Sequence, residues 1–353
     1  MEWGSFRPKT AILPPDLVKE DVFIRTLLRA GVKRIWLDVK SAFIPGLRPT
    51  LDALRTKGFA VGLRIDLFPP APAGLDADRT ISGEASPYPR PDSSTAAAQR
   101  KEIAEELLKL GVDSVMVKRP FPPGYSQFET QISEDMRSPL GYTEAARLAF
   151  LRQHGADPID VFRYGTLPMI GFGSDVLAGI QQIQSGIGAM TWALELENFD
   201  RQGAAEALAN AWNDARYARL EAGLADFCAR ISPKMPCFVT STRSPASFAS
   251  VGYSSWIGEW NGTGAAPGRD PGGWPETFYP QKAVQGWQKA SGRPVLVPIK
   301  IETATTPAGL AEFLTRTVEL GAEGVVLDLH DVKPGDAKVL KLLETLRNRP
   351  AAS

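Results

Sequence analysis

Three segments of the 353-residue chain share one pattern, and this repeat constrains the fold more than any other feature. In Leu107–Arg119 (LLKLGVDSVMVKR) a helix-like run stops at Gly111, and an apolar segment then rises to a charge at Lys118. Leu27–Lys40 (LLRAGVKRIWLDVK) and Thr317–His330 (TVELGAEGVVLDLH) repeat it, with stops at Gly31 and Gly321 and charges at Asp38 and Asp328. A looser copy, Leu54–Asp66, stops at Gly58 and ends on Arg64 and Asp66. Glycine adopts the left-handed conformation that closes a helix. An apolar run without strict alternation is a strand buried on both faces. Helix–glycine–strand–charge units therefore predict parallel βα architecture, with charges at the strand ends where ligands bind.

Extended along the chain, the pattern predicts strands at 9–14, 34–39, 60–68, 114–118, 236–242, 253–257, 295–301 and 324–329. Helices are predicted at 17–30 (capped by Asp16), 49–57, 95–110, 143–154, 203–230, 280–290, 306–320 and 335–347, and residues 71–94 read as a loop. The expected fold is α/β: a (β/α)₈ TIM barrel forming a single domain over residues 1–353. A long helical insertion, 120–232, lies between strands four and five. A barrel of this kind needs about 250 residues, which leaves room for the insertion. A doubly wound open sheet is the alternative, but no glycine-rich phosphate turn follows the first strand.

Lys plus Arg and Asp plus Glu number 40 each, so no bulk charge draws the chain to nucleic acid or to an anionic membrane. The longest apolar runs are too short to span a bilayer, so no membrane insertion is expected. The two cysteines, Cys228 and Cys237, exclude a disulfide framework but leave a single bridge open. The first residues, MEWGSFRPKT, lack the apolar run of a signal peptide. That predicts either a cytoplasmic protein or a chain that begins after a removed leader.

In βα barrels the active site gathers at the C-terminal strand ends. Those ends carry Asp38 and Lys40, Arg64 and Asp66, Lys118 and Arg119, Thr242 and Arg243, Glu259, Lys300 and Glu302, and Asp328 and His330. Residues two apart on a strand share a face, which predicts a ring of interleaved carboxylates and cations around one mouth. Glu302 ends an apolar strand two residues after Lys300, and Glu259 lies between Trp256 and Trp260. Two carboxylates beside aromatic platforms suit glycoside hydrolysis, one as proton donor and one as nucleophile or base. Trp260 and Trp274 suit stacking on sugar rings, while Trp36 and Trp192 read as core. The expected catalytic set is Glu302, Glu259 and Asp328. The expected carbohydrate-binding set is Asp38, Lys40, Arg64, Asp66, Lys118, Arg119, Trp260, Trp274, Lys300 and His330.

No cofactor is expected, and with only His154 and His330 a multi-histidine zinc site is excluded. A magnesium site from Asp38, Asp66, Asp328 and Glu302, or a Schiff-base lysine at Lys118 or Lys300, stays open.

The stretch after strand four resembles the bacterial glycosyl-hydrolase-like barrel proteins called family 10 glycosyl hydrolase-like. The similarity runs through Asp113–Pro120 (DSVMVKRP), Ser138–Tyr142 (SPLGY), Phe150–Pro158 (FLRQHGADP), and Trp212 with Arg216. It covers roughly a third of the chain, and Gly-x-Asp-Pro at 155–158 is its most specific step. The resemblance implies a barrel acting on a poly- or oligosaccharide, with a catalytic aspartate on strand four. That position is Lys118 here, so either other carboxylates carry the reaction or the protein binds sugar without cutting it. A lyase or aldolase using a strand-end lysine is the alternative from another enzyme class.

Overall fold

The computed structural model describes residues 10–40, 44, 46–70, 74–119, 140–159, 207–208, 211–212, 215–216, 218–220, 222–231, 233–241, 256–259, 295–301, 306–307, 310, 314 and 324–347. Its strands are β1 (Thr10–Leu13), β2 (Arg34–Asp38), β3 (Ala60–Asp66), β4 (Ala77–Arg79), β5 (Ala85–Pro89), β6 (Ser114–Arg119), β7 (Cys237–Ser241), β8 (Trp256–Glu259), β9 (Val295–Lys300) and β10 (Gly324–Asp328). The helices are α1 (Asp21–Arg29), α2 (Arg48–Thr56), α3 (Ser94–Leu110), α4 (Glu144–His154) and α5 (Ala337–Arg347). Helical residues 222–231 precede β7.

Seven strands pair in parallel, in the order β9-β10-β1-β2-β3-β6-β7, to form one curled sheet. The eighth, β8, pairs antiparallel with both β7 and β9. This corrects the expected (β/α)₈ TIM barrel: the chain does not build eight parallel βα units. In sequence, residues 242–255 (TRSPASFASVGYSS) between β7 and β8 carry no helix-forming run of the kind that usually links parallel strands.

Two smaller corrections are local. The expected first helix is split into a 3₁₀ turn at Pro15–Lys19 and α1, so Asp16 lies within the turn and caps nothing. The expected loop 71–94 contains the antiparallel pair β4 and β5. The helix stops read from glycine hold at Gly31 and Gly111, whose φ values are 93° and 61°. Ser93 caps α3, its hydroxyl accepting from the Ala96 amide. The expected helix 280–290 lies outside the described residues.

Alternation sorts the strand residues into two cores. Ile35, Leu37, Val115, Val117, Val325 and Leu327 face outward, against Ile24 and Leu27 of α1, Leu107 of α3 and Leu343 of α5. Ile12, Trp36, Met116, Phe238 and Val326 fill the inner face of the sheet. Trp36 is the centre of this plug, fully buried as expected of a core residue. Its indole N–H donates to the Ser114 hydroxyl at 2.9 Å, and its ring meets Phe238 edge-on at 5.1 Å. Gly62 on β3 leaves the space the indole occupies. Below, the Arg34 guanidinium lies 5.7 Å from the Trp36 ring.

Cys228 and Cys237, both buried, form a disulfide that ties the 222–231 helical segment to the first residue of β7. Closing so short a loop is worth about 3 kcal/mol. Reductant should therefore lower the urea midpoint of the native protein and leave a Cys228→Ala/Cys237→Ala variant unaffected. Equal sensitivity of the two proteins would contradict the bond. Among the described residues no helix is long and apolar enough to cross a membrane.

Candidate functional site

The parity that buries Trp36 also places the next inward residue of β2, Asp38, at the C-terminal edge of the sheet. Gly62 and Arg64 are related in the same way on β3, Met116 and Lys118 on β6, and Val326 and Asp328 on β10. Asp38 is in register with Arg64, and Asp328 with Ile12 of β1, so these ends are neighbours. Four polar side chains thus sit directly above the apolar plug.

They form one connected network. Arg64 Nη1 lies 3.4 Å from Asp328 Oδ2 and 3.7 Å from Asp38 Oδ2, bridging the two carboxylates. Lys118 Nζ donates to both oxygens of Asp38, at 2.8 and 3.2 Å. His330, just beyond β10, points Nδ1 at Asp328 Oδ1 at 2.6 Å, and its backbone N–H donates to the same oxygen. His330 Nε2 lies 3.2 Å from Asp331 Oδ1. Burial alone would push the Asp328 carboxyl up, but the His330 hydrogen bond and the Arg64 charge outweigh it. The net effect holds Asp328 below its ordinary value.

Of the residues expected at the site, the structure brings together Asp38, Arg64, Lys118, Asp328 and His330. Asp66 shares the edge on β3, half-buried, and Lys40 is exposed beyond β2. Glu302, Trp260, Trp274, Thr242, Arg243 and the expected core residue Trp192 lie outside the described residues. For Arg119, Lys300 and Glu259 only the backbone is described. Arg119 is in register with Asp66, and Lys300 with Asp328.

Glu259 is the exception in position. Because β8 is reversed, Glu259 pairs with Phe238 near the start of β7, while Trp256 pairs with Ser241 at its end. The Glu259 backbone therefore lies at the edge opposite Asp38 and Asp328. The Glu302–Glu259 pairing rested on all strands running one way, and the reversed strand removes that support.

Among the described residues no His, Cys, Asp and Glu cluster has the spacing of a metal site. Asp38 and Asp328 turn instead onto Arg64, which occupies the place a cation would need. The Asp331 contact and the Trp36–Gly62–Ser114 support were not read from the sequence. The parity of Arg34, Trp36 and Asp38 was the available signal for the support.

Residues that carry the family resemblance pack together elsewhere. Tyr142, Phe150 and Trp212 form one buried cluster, and the Arg216 guanidinium lies 5.5 Å from the Tyr142 ring. Within Gly-x-Asp-Pro, Gly155 closes α4 with a φ of 71°. Asp157 accepts from the Arg147 guanidinium and from the Ile159 amide. No protein-family model and no curated protein matches the chain.

Proposed function

We propose that the C-terminal edge of the parallel sheet receives a saccharide and holds it without cutting it. The observation that carries this reading is that neither carboxyl group of the network stands alone: Arg64 bridges Asp38 and Asp328, and Lys118 Nζ donates to both oxygens of Asp38. Glycoside hydrolysis needs one carboxyl group that keeps its proton until it reaches the leaving oxygen. Asp328, held below its ordinary value by His330 and Arg64, is unsuited to that part, and both oxygens of Asp38 already accept from Lys118. Lys118 and His330, the more exposed members of the network, offer polar groups to sugar hydroxyls.

The resemblance to glycosyl-hydrolase-like barrels supports a saccharide as ligand, and Lys118 stands where that family places its strand-four aspartate. The lysine-dependent lyase or aldolase is less well supported at Lys118. Its Nζ is already engaged with both oxygens of Asp38, a contact that competes with attack on a carbonyl.

Incubation with a panel of poly- and oligosaccharides tests the reading. The expected result is retention of the protein on at least one glycan with no increase in reducing ends. Release of new reducing ends would contradict it and return the hydrolase, with Glu302 as its leading carboxylate.

A further inference from the structure

One nitrogen joins the two halves of the strand-end network. Arg64 Nη1 lies 3.4 Å from Asp328 on one side and 3.7 Å from Asp38 on the other, close to balance between them. Arg64 Nε is buried without a hydrogen-bond partner, so these two carboxylates are the polar anchors of the guanidinium. Each carboxylate then orients one further group. Both oxygens of Asp38 accept from Lys118 Nζ, and Asp328 meets the His330 ring at 2.6 Å.

Depth separates the groups a ligand can touch from those it cannot. The side chain of Arg64 is 7% exposed and that of Asp328 1%, whereas Lys118 and His330 reach 25% and 22%. A ligand at this edge therefore meets Lys118 on β6 and His330 beyond β10, with Arg64 beneath both. In the sheet, β1, β2 and β3 lie between β10 and β6. The connection between the two outer residues runs instead through side chains, from Lys118 to Asp38, Arg64, Asp328 and His330. Such chains of charged contacts can carry coupling between separated groups.

We propose that Arg64 is a positioning residue for saccharide binding, joining Lys118 and His330 into one unit whose two ends do not act independently. The inference rests on the reading that this edge binds a saccharide, and it holds whatever the charge of the ligand. When a ligand draws Lys118 away from Asp38, that carboxylate is left to Arg64, and the guanidinium shifts toward it. Asp328 then loses part of its cation and closes on His330. Enclosure gives the exchange its strength, because charges shielded from water interact strongly. Removing either outer residue unbalances Arg64 in the same way. The other outer residue then leaves its native position, and its own removal costs less.

Two measurements test the role. In the ligand-free full chain, Lys118→Met should move the imidazole NMR signals of His330 and leave those of His154 in place. The same substitution should leave His330 unmoved in an Arg64→Met background, and should move it again with Arg64→Lys, which keeps a cation between the carboxylates. Should melts show that Arg64→Met does not fold, Asp38→Asn takes its place, since it breaks the same chain one step earlier. The second measurement is a calorimetric cycle with whichever of cellohexaose, xylohexaose and chitohexaose the chain retains. Lys118→Met and His330→Gln should each weaken binding by up to about tenfold. The double variant should lose at least about threefold less than the product of the two. Effects that simply multiply, or a His330 signal indifferent to Lys118→Met, overturn the role of Arg64 and leave the saccharide reading intact. Should the chain bind no glycan, the saccharide reading fails and this role with it, even where the spectrum shows the coupling.

Discussion

Replacing Gly62 with alanine is expected to destabilise the protein by about 3 kcal/mol, the upper end of what one added methyl costs in a packed core. A Cβ at this position would lie 2.3 Å from Trp36 Cδ1, 2.5 Å from its Nε1 and 2.6 Å from Ser114 Oγ. None of these atoms is the free end of a flexible chain. The indole is held at its N–H by Ser114 and at its face by Phe238, and it has no solvent to move into. The strain must therefore spread into β3 or β6, whose ends carry Arg64 and Lys118. Urea unfolding measures the loss, and Gly62→Val should prevent folding altogether. A Gly62→Ala protein as stable as the native one would show that Trp36 does not fill this space.

Arg64→Met is expected to cost about 3–5 kcal/mol at neutral pH, because it leaves buried carboxylates short of a cation. Asp38 keeps Lys118, so most of the loss falls on Asp328, whose remaining partner among the described residues is His330. The pH dependence follows from the direction of the Asp328 shift. Its carboxyl is depressed in the folded protein, so its stabilising effect is present above the unfolded carboxylate value and is lost as pH falls through the folded one. Removing Arg64 takes away one of the influences that offset burial, and the folded value rises. The native protein should therefore exceed the variant most at neutral pH. The gap should narrow in mild acid, where the variant's Asp328 takes up a proton and no longer buries a charge. Denaturant unfolding across that range checks it; a gap that widens in acid would contradict the ion-pair account.

Much of the architecture is legible in the sequence because it is local. Gly31 and Gly111 stop helices for a conformational reason that holds wherever they stand, and the apolar runs that follow can only be buried strands. Period-two spacing is also local, so the Trp36–Asp38 and Met116–Lys118 relationships can be read before any fold is known. Direction is a different matter. WIGE at 256–259 has the same alternation whether it runs up or down, and only the connection before it decides. Reading that strand as parallel placed Glu259 among the strand-end charges and produced a catalytic pair that the reversed strand does not support. Partner choice is equally nonlocal. Lys118 and Asp38 are 80 positions apart, and nothing near either names the other. The same holds for Arg64, which the sequence offers as one of several cations and the fold places between two carboxylates.

The chain's two histidines make one measurement especially direct, since the imidazole region of its NMR spectrum contains only His154 and His330. His154 ends α4 and stacks on Phe150, away from the strand-end network, and so serves as an internal control. Titrating the full chain with an oligosaccharide that it retains should move the His330 ring signals to saturation, in step with calorimetric binding, and leave those of His154 in place. Binding that leaves the His330 ring unmoved, or that moves His154 instead, would contradict the assignment of the ligand to the Asp38–Arg64–Asp328 edge.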